Sequence, residues 1–178
     1  MIVRNAEQAD LNRCLALDGS YETEYVWQMQ IEEAGAAVQS VSFRTVRLPR
    51  PMRVAYPRQP ESLLESWERR NRLLVAEEGS LVQGYLDLEI HPWNRTGWIN
   101  SVVVAKELRR QGLGSALLKA AQRWAEEKRL RQIVLETQTK NHPAISFFQK
   151  HGFVFCGYHD RYYANQDIAL FFAQELRG

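Results

Sequence analysis

The stretch VVVAKELRRQGLGSALLKAA, Val102 to Ala121, decides the fold. Three valines read as a buried strand that runs into a short basic loop with two glycines. The loop then becomes the first turn of an amphipathic helix. Over Leu113–Arg129 the apolar residues Leu113, Leu117, Ala121, Trp124 and Ala125 recur every three or four positions, with Lys119, Arg123 and Glu126 opposite. A helix N-terminus leaves main-chain N–H groups without intrahelical partners and carries partial positive charge. Gly112 and Gly114 have no Cβ, so a phosphate can approach that main chain closely. Arg109 and Arg110 add charge and forked donors. A P-loop would need Gly-Lys-Ser/Thr at the helix start, and Gly114-Ser115-Ala116 has no lysine. The dinucleotide fingerprint would need glycine where Leu117 stands. By itself the loop fits either a phosphate cradle or a tight strand-to-helix turn.

Outward from this segment, strands and helices alternate. Ile133–Gln138 reads as a strand, and Pro143 and Gly152 bracket a helix as first-turn residue and stop signal. Phe153–Tyr158 and Ile168–Gln174 close the chain as strands. On the other side, Trp98–Ala105 is a strand, and Leu73–Glu77 and Leu81–Ile90 are strands joined through the hairpin signal Glu78-Gly79-Ser80. Glu61–Asn71 is a polar helix. Between Val41 and Arg58 stand Arg44, Arg47, Arg50, Arg53 and Arg58 with Pro49, Pro51 and Pro57, which predicts an edge strand and an extended loop. Residues Tyr21–Val38, where Glu22, Glu24, Glu32 and Glu33 interrupt aromatics, are predicted to be helical. Ile2–Arg4 is a short strand, followed by a helix carrying Leu11, Cys14, Leu15 and Leu17. The sum is an α/β (α+β) domain spanning residues 1–178, a mixed sheet with helices on both faces.

Composition agrees with an ordinary globular domain. The chain has 178 residues, 45% hydrophobic and 25% charged, enough to bury a full core. Its 23 basic and 21 acidic side chains leave a formal charge of +2, which argues for neither nucleic acid nor a membrane surface. The arginine-rich stretch has only Phe43 and Tyr56 for aromatics, a poor nucleic-acid pattern. MIVRNAEQAD lacks the apolar core of a secretory leader, and no apolar run approaches the roughly 18 residues of a membrane span. A cytoplasmic protein is expected. Cys14 and Cys156 stand far apart, against a disulfide scaffold or a cysteine-built zinc site. His91, His142, His151 and His159 show no ligand spacing, so no metal is expected.

Two motifs together are more specific than the loop alone. LRRQGLG (Leu108–Gly114) is followed by NHPAISFFQKHGFVFCGY (Asn141–Tyr158). In order and spacing these resemble the GNAT superfamily of N-acetyltransferases, with its R-x-x-G-x-G loop and its second motif Asn141-x-x-Ala144-x-x-x-Phe148-x-x-x-Gly152-Phe153. The opening MIVRNAEQADL is similar to that family's first strand and helix. A narrower resemblance, to the streptothricin acetyltransferase branch, rests on LETQTKNHPA (Leu135–Ala144), Trp93-Asn94 and INSVVVA (Ile99–Ala105). The resemblance implies a mostly antiparallel central sheet splayed at the fourth family strand, with residues 21–71 a family-variable insertion on the acceptor side. It implies acetyl-CoA as co-substrate. Main-chain groups of Val102, Val103 and Val104 would meet the pantetheine arm and the thioester carbonyl. Arg109, Arg110, Gln111, Gly112, Leu113, Gly114 and Ser115 would hold the pyrophosphate, and Asn141 the pantetheine or cysteamine end. The family's thiolate-protonating tyrosine is replaced by Phe148, which is left to touch the thioester. The proton would then come from Tyr158, Tyr162 or Tyr163, or from water.

Acetyl transfer to an amine also needs a neutral nucleophile. An ammonium with a pKa near 10.4 has its neutral form about 4.6 kcal/mol uphill at pH 7. A positioned base supplies a factor of about 10² to 10⁴. In the strand around Tyr85, Asp87 and Glu89 share one face while Leu86, Leu88 and Ile90 share the other. Asp87 and Glu89 are the first candidate bases and Glu136 the next; a solvated sheet face or a hydrogen-bonded structural acid would explain them too. Tyr163 joins these carboxylates as a catalytic candidate. Tyr21, Tyr25 and Trp27 beside Glu22 and Glu24 would suit a cage for a cationic amine, or one buried side of a helix. The combined expectation is direct acetyl transfer from acetyl-CoA to a primary amine on a small cationic acceptor or antibiotic, since neither cysteine sits in a nucleophile motif. The alternatives are a protein N-terminal or lysine acetyltransferase, or a non-catalytic acyl-CoA-binding module, which Phe148 favours. A homodimer is left open.

Overall fold

A computed structural model of the chain describes residues 1–176. The strands are β1 (Ile2–Asn5), β2 (Tyr21–Ala34), β3 (Ala37–Val54), β4 (Arg72–Glu78), β5 (Leu81–His91), β6 (Thr96–Val104), β7 (Gln132–Gln138), β8 (Val154–His159) and β9 (Ala169–Glu175). The α-helices are α1 (Leu11–Leu15), α2 (Glu61–Glu68), α3 (Leu113–Glu127) and α4 (His142–Lys150). Seven strands form one sheet in the order β1-β4-β5-β6-β7-β9-β8. Every neighbouring pair is antiparallel except β6 and β7, which α3 links as a parallel crossover. Strand alternation sends Leu74, Ala76, Leu86 and Leu88 to the face covered by α3. It sends Leu73, Val75 and Tyr85 to the opposite face, where Leu11 and Cys14 of α1 and Leu63 of α2 close a second core. Among the described residues no helix is long and apolar enough to cross a membrane.

The site is positioned by what β6 and β7 do not share. Their ladder runs only from Thr96–Gln132 to Ile99–Leu135. Beyond it, Val102–Val104 continue against β5, and Glu136–Gln138 continue against β9. The sheet therefore opens into a V with an internal edge on each arm. A bulge begins the opening: Asp87 pairs with Ser101 and Leu88 with Ile99, so Asn100 is the extra residue of β6.

The helix expected over Tyr21–Val38 is instead one strand and the turn of a hairpin. β2 and β3 pair from Tyr21–Val54 to Ala34–Ala37 around Gly35, whose φ of +64° suits glycine. Tyr21, Thr23, Tyr25, Trp27, Met29 and Ile31 recur at every second position, and all the residues between them except Val26 are polar, a period of two that tertiary packing rewards. Trp27 lies 5.8 Å from the ring of Phe172 on β9, and Phe43 lies 5.4 Å from Phe155 on β8. Glu22 and Glu24 point to solvent. Pro49 and Pro51 fall where the register shifts between Thr23–Met52 and Tyr25–Arg47, so the ladder never needs their missing N–H.

Phe172, fully buried, packs against both Trp27 and Phe155. Phe172→Ala is expected to cost about 3–5 kcal/mol of stability, read as a lower denaturant midpoint. An unchanged midpoint would show that the hairpin does not depend on this contact.

Candidate active site

The loop after β6 turns sharply to enter α3. Arg110 has φ +65° and Gly112, the N-cap, has φ +97°. The first bond of the helix runs from Ala116 N–H to Gly112 C=O, so the N–H groups of Leu113, Gly114 and Ser115 lie ahead of the ladder. A Cβ built on Gly112 meets nothing within 4 Å, while one on Gly114 would touch the Phe147 ring at 3.4 Å. The space in front of Gly112 is thus open, as an anion resting on the turn requires. Leu113 is buried and contributes only main chain there. Gln111 donates to the Glu107 carbonyl, and Arg110 is exposed.

Arg109, the first residue of the R-x-x-G-x-G motif, is engaged with the main chain. Its guanidinium donates to the carbonyls of Val104 at 3.0 Å, Ser20 at 2.7 Å and Asp18 at 2.8 Å. These bonds lash the loop to the end of β6 and to the segment before β2. Asp18 in turn pairs with Lys106 at 2.6 Å.

At the mouth of the V, on the α2 side, lies a cleft of about 310 Å³ that includes Arg58, Ser66, Asp87, Glu89, Trp98 and Tyr162. The three candidate acids gather around this region in three different states. Asp87 is 2% exposed; its Oδ2 accepts from Ser66 Oγ and from Asn100 Nδ2 at 3.2 Å, while its buried Oδ1 has no partner among the described residues. Burial pushes its carboxyl above the usual range, against the pull of those two donors. Glu89 is also partly buried, but His91 at 2.7 Å and Asn71 at 3.3 Å outweigh that and hold its carboxyl below its usual value. Glu136 is paired with Arg58 and accepts from Trp98 Nε1 at 2.8 Å. Burial pushes the Glu136 carboxyl up, and Arg58 and Trp98 oppose it.

The remaining candidates divide. Phe148 is buried in the core between Phe147 and Phe153, at 5.3 and 5.9 Å between ring centroids. Asn141 caps α4, its Oδ1 accepting from Ala144 N–H at 3.1 Å. Tyr163 is buried and burial pushes its phenol well above the ordinary value, with Glu136 adding to the effect. Tyr162 stands edge-on to it at 5.1 Å and lines the cleft, whereas Tyr158 packs on Phe43. The aromatic cage does not assemble. Tyr21 bonds Gln138 at 2.8 Å, Tyr25 stacks near His142 and Trp27 packs on Phe172, with Glu22 and Glu24 on the opposite face. Arg58, Ser66 and Trp98 belong to the site without any sequence motif to announce them, whereas Asn100 falls inside the INSVVVA stretch.

The Acetyltransferase (GNAT) family model matches residues 43–153. A streptothricin acetyltransferase of Streptomyces lavendulae is 29% identical over 160 residues, which are 86% of this chain and 82% of the relative. Streptothricin acetyltransferase A of Bacillus subtilis is 37% identical over 83 residues, 44% of this chain and 48% of the relative. The crystal structure of a nourseothricin acetyltransferase superposes with a TM-score of 0.84 at 24% identity, covering 99% of this chain and 98% of that one. A Bacillus anthracis protein assigned as a streptothricin acetyltransferase, in complex with acetyl coenzyme A, gives 0.79 at 23% identity over 98% and 99%.

Proposed function

The chain belongs to the GNAT acetyltransferase family and is an acetyl-CoA-dependent N-acetyltransferase, and from that premise we propose that its acceptor is a small cationic amine of the streptothricin class, acetylated by direct attack. The observation that carries this reading is the gathering of Asp87, Glu89 and Glu136 around one cleft at the mouth of the V. Arg58 neutralises only one of the three, so the cleft favours a positively charged acceptor.

Each group then has a task. Acetyl-CoA brings an acetyl group already activated as a thioester. The free edge of Val102–Val104 offers main-chain groups to its pantetheine arm, and the N–H groups from Arg110 to Ser115 hold its pyrophosphate. Arg109 keeps that loop in place through its three carbonyl contacts. Asn141 adds its amide N–H₂, since its Oδ1 is engaged in the cap. Asp87 is the base: burial brings its carboxyl nearer neutrality than an exposed aspartate, and the residue lines the cleft, where it takes the ammonium proton directly or through water. Glu89 stays ionised and attracts the cation. Tyr163 keeps its proton, the state required of a donor to the departing sulfur, and Phe148 forms part of the apolar floor. Ser62 and Ser66 of α2, with Arg58, bring the 21–71 segment to the acceptor side.

The test is release of coenzyme A thiol from acetyl-CoA with a panel of small polycationic amines, a streptothricin among them, set against peptides with free N-termini or lysines. Turnover is expected with the small cations and at least ten times less kcat/KM with peptides. A preference for peptides overturns the acceptor assignment, and coenzyme binding without release in any case overturns catalysis.

A further inference from the structure

One side chain outside the loop reaches into the turn that enters α3. His151, the C-cap of α4, places Nε2 2.9 Å from Ser115 Oγ and Nδ1 2.8 Å from the Phe147 carbonyl oxygen. A carbonyl only accepts, so Nδ1 carries a proton, and Nε2 of the neutral ring accepts from the Ser115 hydroxyl. The single hydroxyl proton of Ser115 is therefore committed to His151. Ser115 is also the third residue of α3, within the segment read above as the pyrophosphate cradle.

An arriving phosphate needs donors, and a serine oxygen with only lone pairs to offer would oppose it. If His151 takes a proton from water at Nε2, both ring nitrogens donate and the serine is free to turn its own proton outward. We propose that His151 is a positioning residue that makes coenzyme A binding proton-linked. Binding of the diphosphate draws one proton from solvent onto His151 Nε2. The resting bond Ser115 O–H to Nε2 is then replaced by Nε2–H to Ser115 Oγ and Ser115 O–H to a phosphate oxygen. This rests on the pyrophosphate reading of residues 110–115.

The surroundings of the ring decide the sign. From α3 come Ser115 and, a turn later, the exposed cation Lys119; from α4 come the Phe147 ring, 4.5 Å between centroids, and exposed Lys150. From β9, Gln174 Nε2 donates to the His151 carbonyl at 3.0 Å and is itself neutral. Among the described residues no carboxylate pairs with His151. The ligand's phosphates thus supply the charge that raises the histidine's affinity for its proton. Affinity for coenzyme A then falls as pH rises, by at most about tenfold per pH unit for a single linked proton.

Calorimetric titration of coenzyme A into the full chain, from about pH 6 to about pH 8.5 in buffers of differing ionisation enthalpy, reads both quantities. His151→Gln and Ser115→Ala are measured beside the wild type, because the coenzyme's own 3′-phosphate titrates equally against all three. The wild type is expected to take up close to one proton more per coenzyme bound than His151→Gln, with Ser115→Ala between them, and to lose affinity with rising pH more steeply. Equal uptake and equal slopes in the three proteins overturn the linkage while leaving the loop assignment standing. Failure of the wild type to bind coenzyme A at any pH instead removes the loop assignment itself. Should His151→Gln not fold, His151→Asn carries the same comparison.

Discussion

Gly112→Leu is expected to lose at least 100-fold in affinity for acetyl-CoA while the protein stays folded. Two effects act at this residue and can be separated. The backbone sits at φ +97°, where any residue with a Cβ is strained by about 1–3 kcal/mol. That cost is a fraction of the 5–15 kcal/mol that holds an ordinary domain together, so thermal unfolding should shift by several degrees and remain cooperative. The second effect is steric. A Cβ here meets no protein atom within 4 Å, so a side chain projects into open space beside the turn. Gly112→Ala carries nearly the same backbone strain but little bulk. The alanine variant is therefore expected to bind between wild type and leucine, and the gap between the two variants measures occlusion alone. Calorimetry with acetyl-CoA decides it. Wild-type affinity in Gly112→Leu would remove the cradle from this turn.

The contrast between Gly112 and Arg109 shows how far local sequence reaches. The strand, turn and helix from Val102 to Glu127 follow from short-range rules: periodicity, a glycine where φ is positive, and a helix start. All are visible within that one stretch of chain. Whether an arginine in that loop grips a ligand or its own main chain is not local. Both uses demand a forked donor, and only the approach of Asp18 and Ser20, some ninety positions away, shows that Arg109 is engaged internally. Glu136 was legible as an acid needing explanation inside an apolar strand, but its partner Arg58 lies 78 residues earlier in a segment without a motif. The β2–β3 hairpin lies beyond local sequence for another reason. Its period of two was present in Tyr21 to Ile31, yet the intervening glutamates resembled the polar face of a helix. What selects the strand is the row of aromatics on β8 and β9 against which Trp27 and Phe43 pack. The carboxylates of the cleft stood between these extremes. Alternation placed Asp87 and Glu89 on one face correctly, but their unequal states arise from Ser66, Asn100, Asn71 and His91.

Those unequal states make Asp87→Asn the sharpest probe of the chemistry. In the wild type, Ser66 and Asn100 both donate to Oδ2, and Oδ1 is the atom without a partner. An asparagine can present its carbonyl oxygen to the same two donors and place its amide where Oδ1 lies, so the substitution preserves shape and hydrogen bonds while removing the base. The expected loss in kcat is about 10² to 10⁴, with affinity for acetyl-CoA unchanged. pH supplies a second readout. Asp87 acts as a base only when ionised, and burial raises its carboxyl. Wild-type kcat/KM for the amine should therefore fall as pH drops through that raised value, and the asparagine variant should lack this limb. Stability moves in the opposite sense. A carboxyl raised on folding binds more protons in the native state, so its contribution weakens as pH rises from the unfolded value through the folded one. Above that window Asp87→Asn relieves a buried charge, and its melting temperature should equal or exceed that of the wild type. Full activity in a folded Asp87→Asn protein would take the base away from Asp87, and a marked fall in stability at high pH would make the residue a structural acid instead.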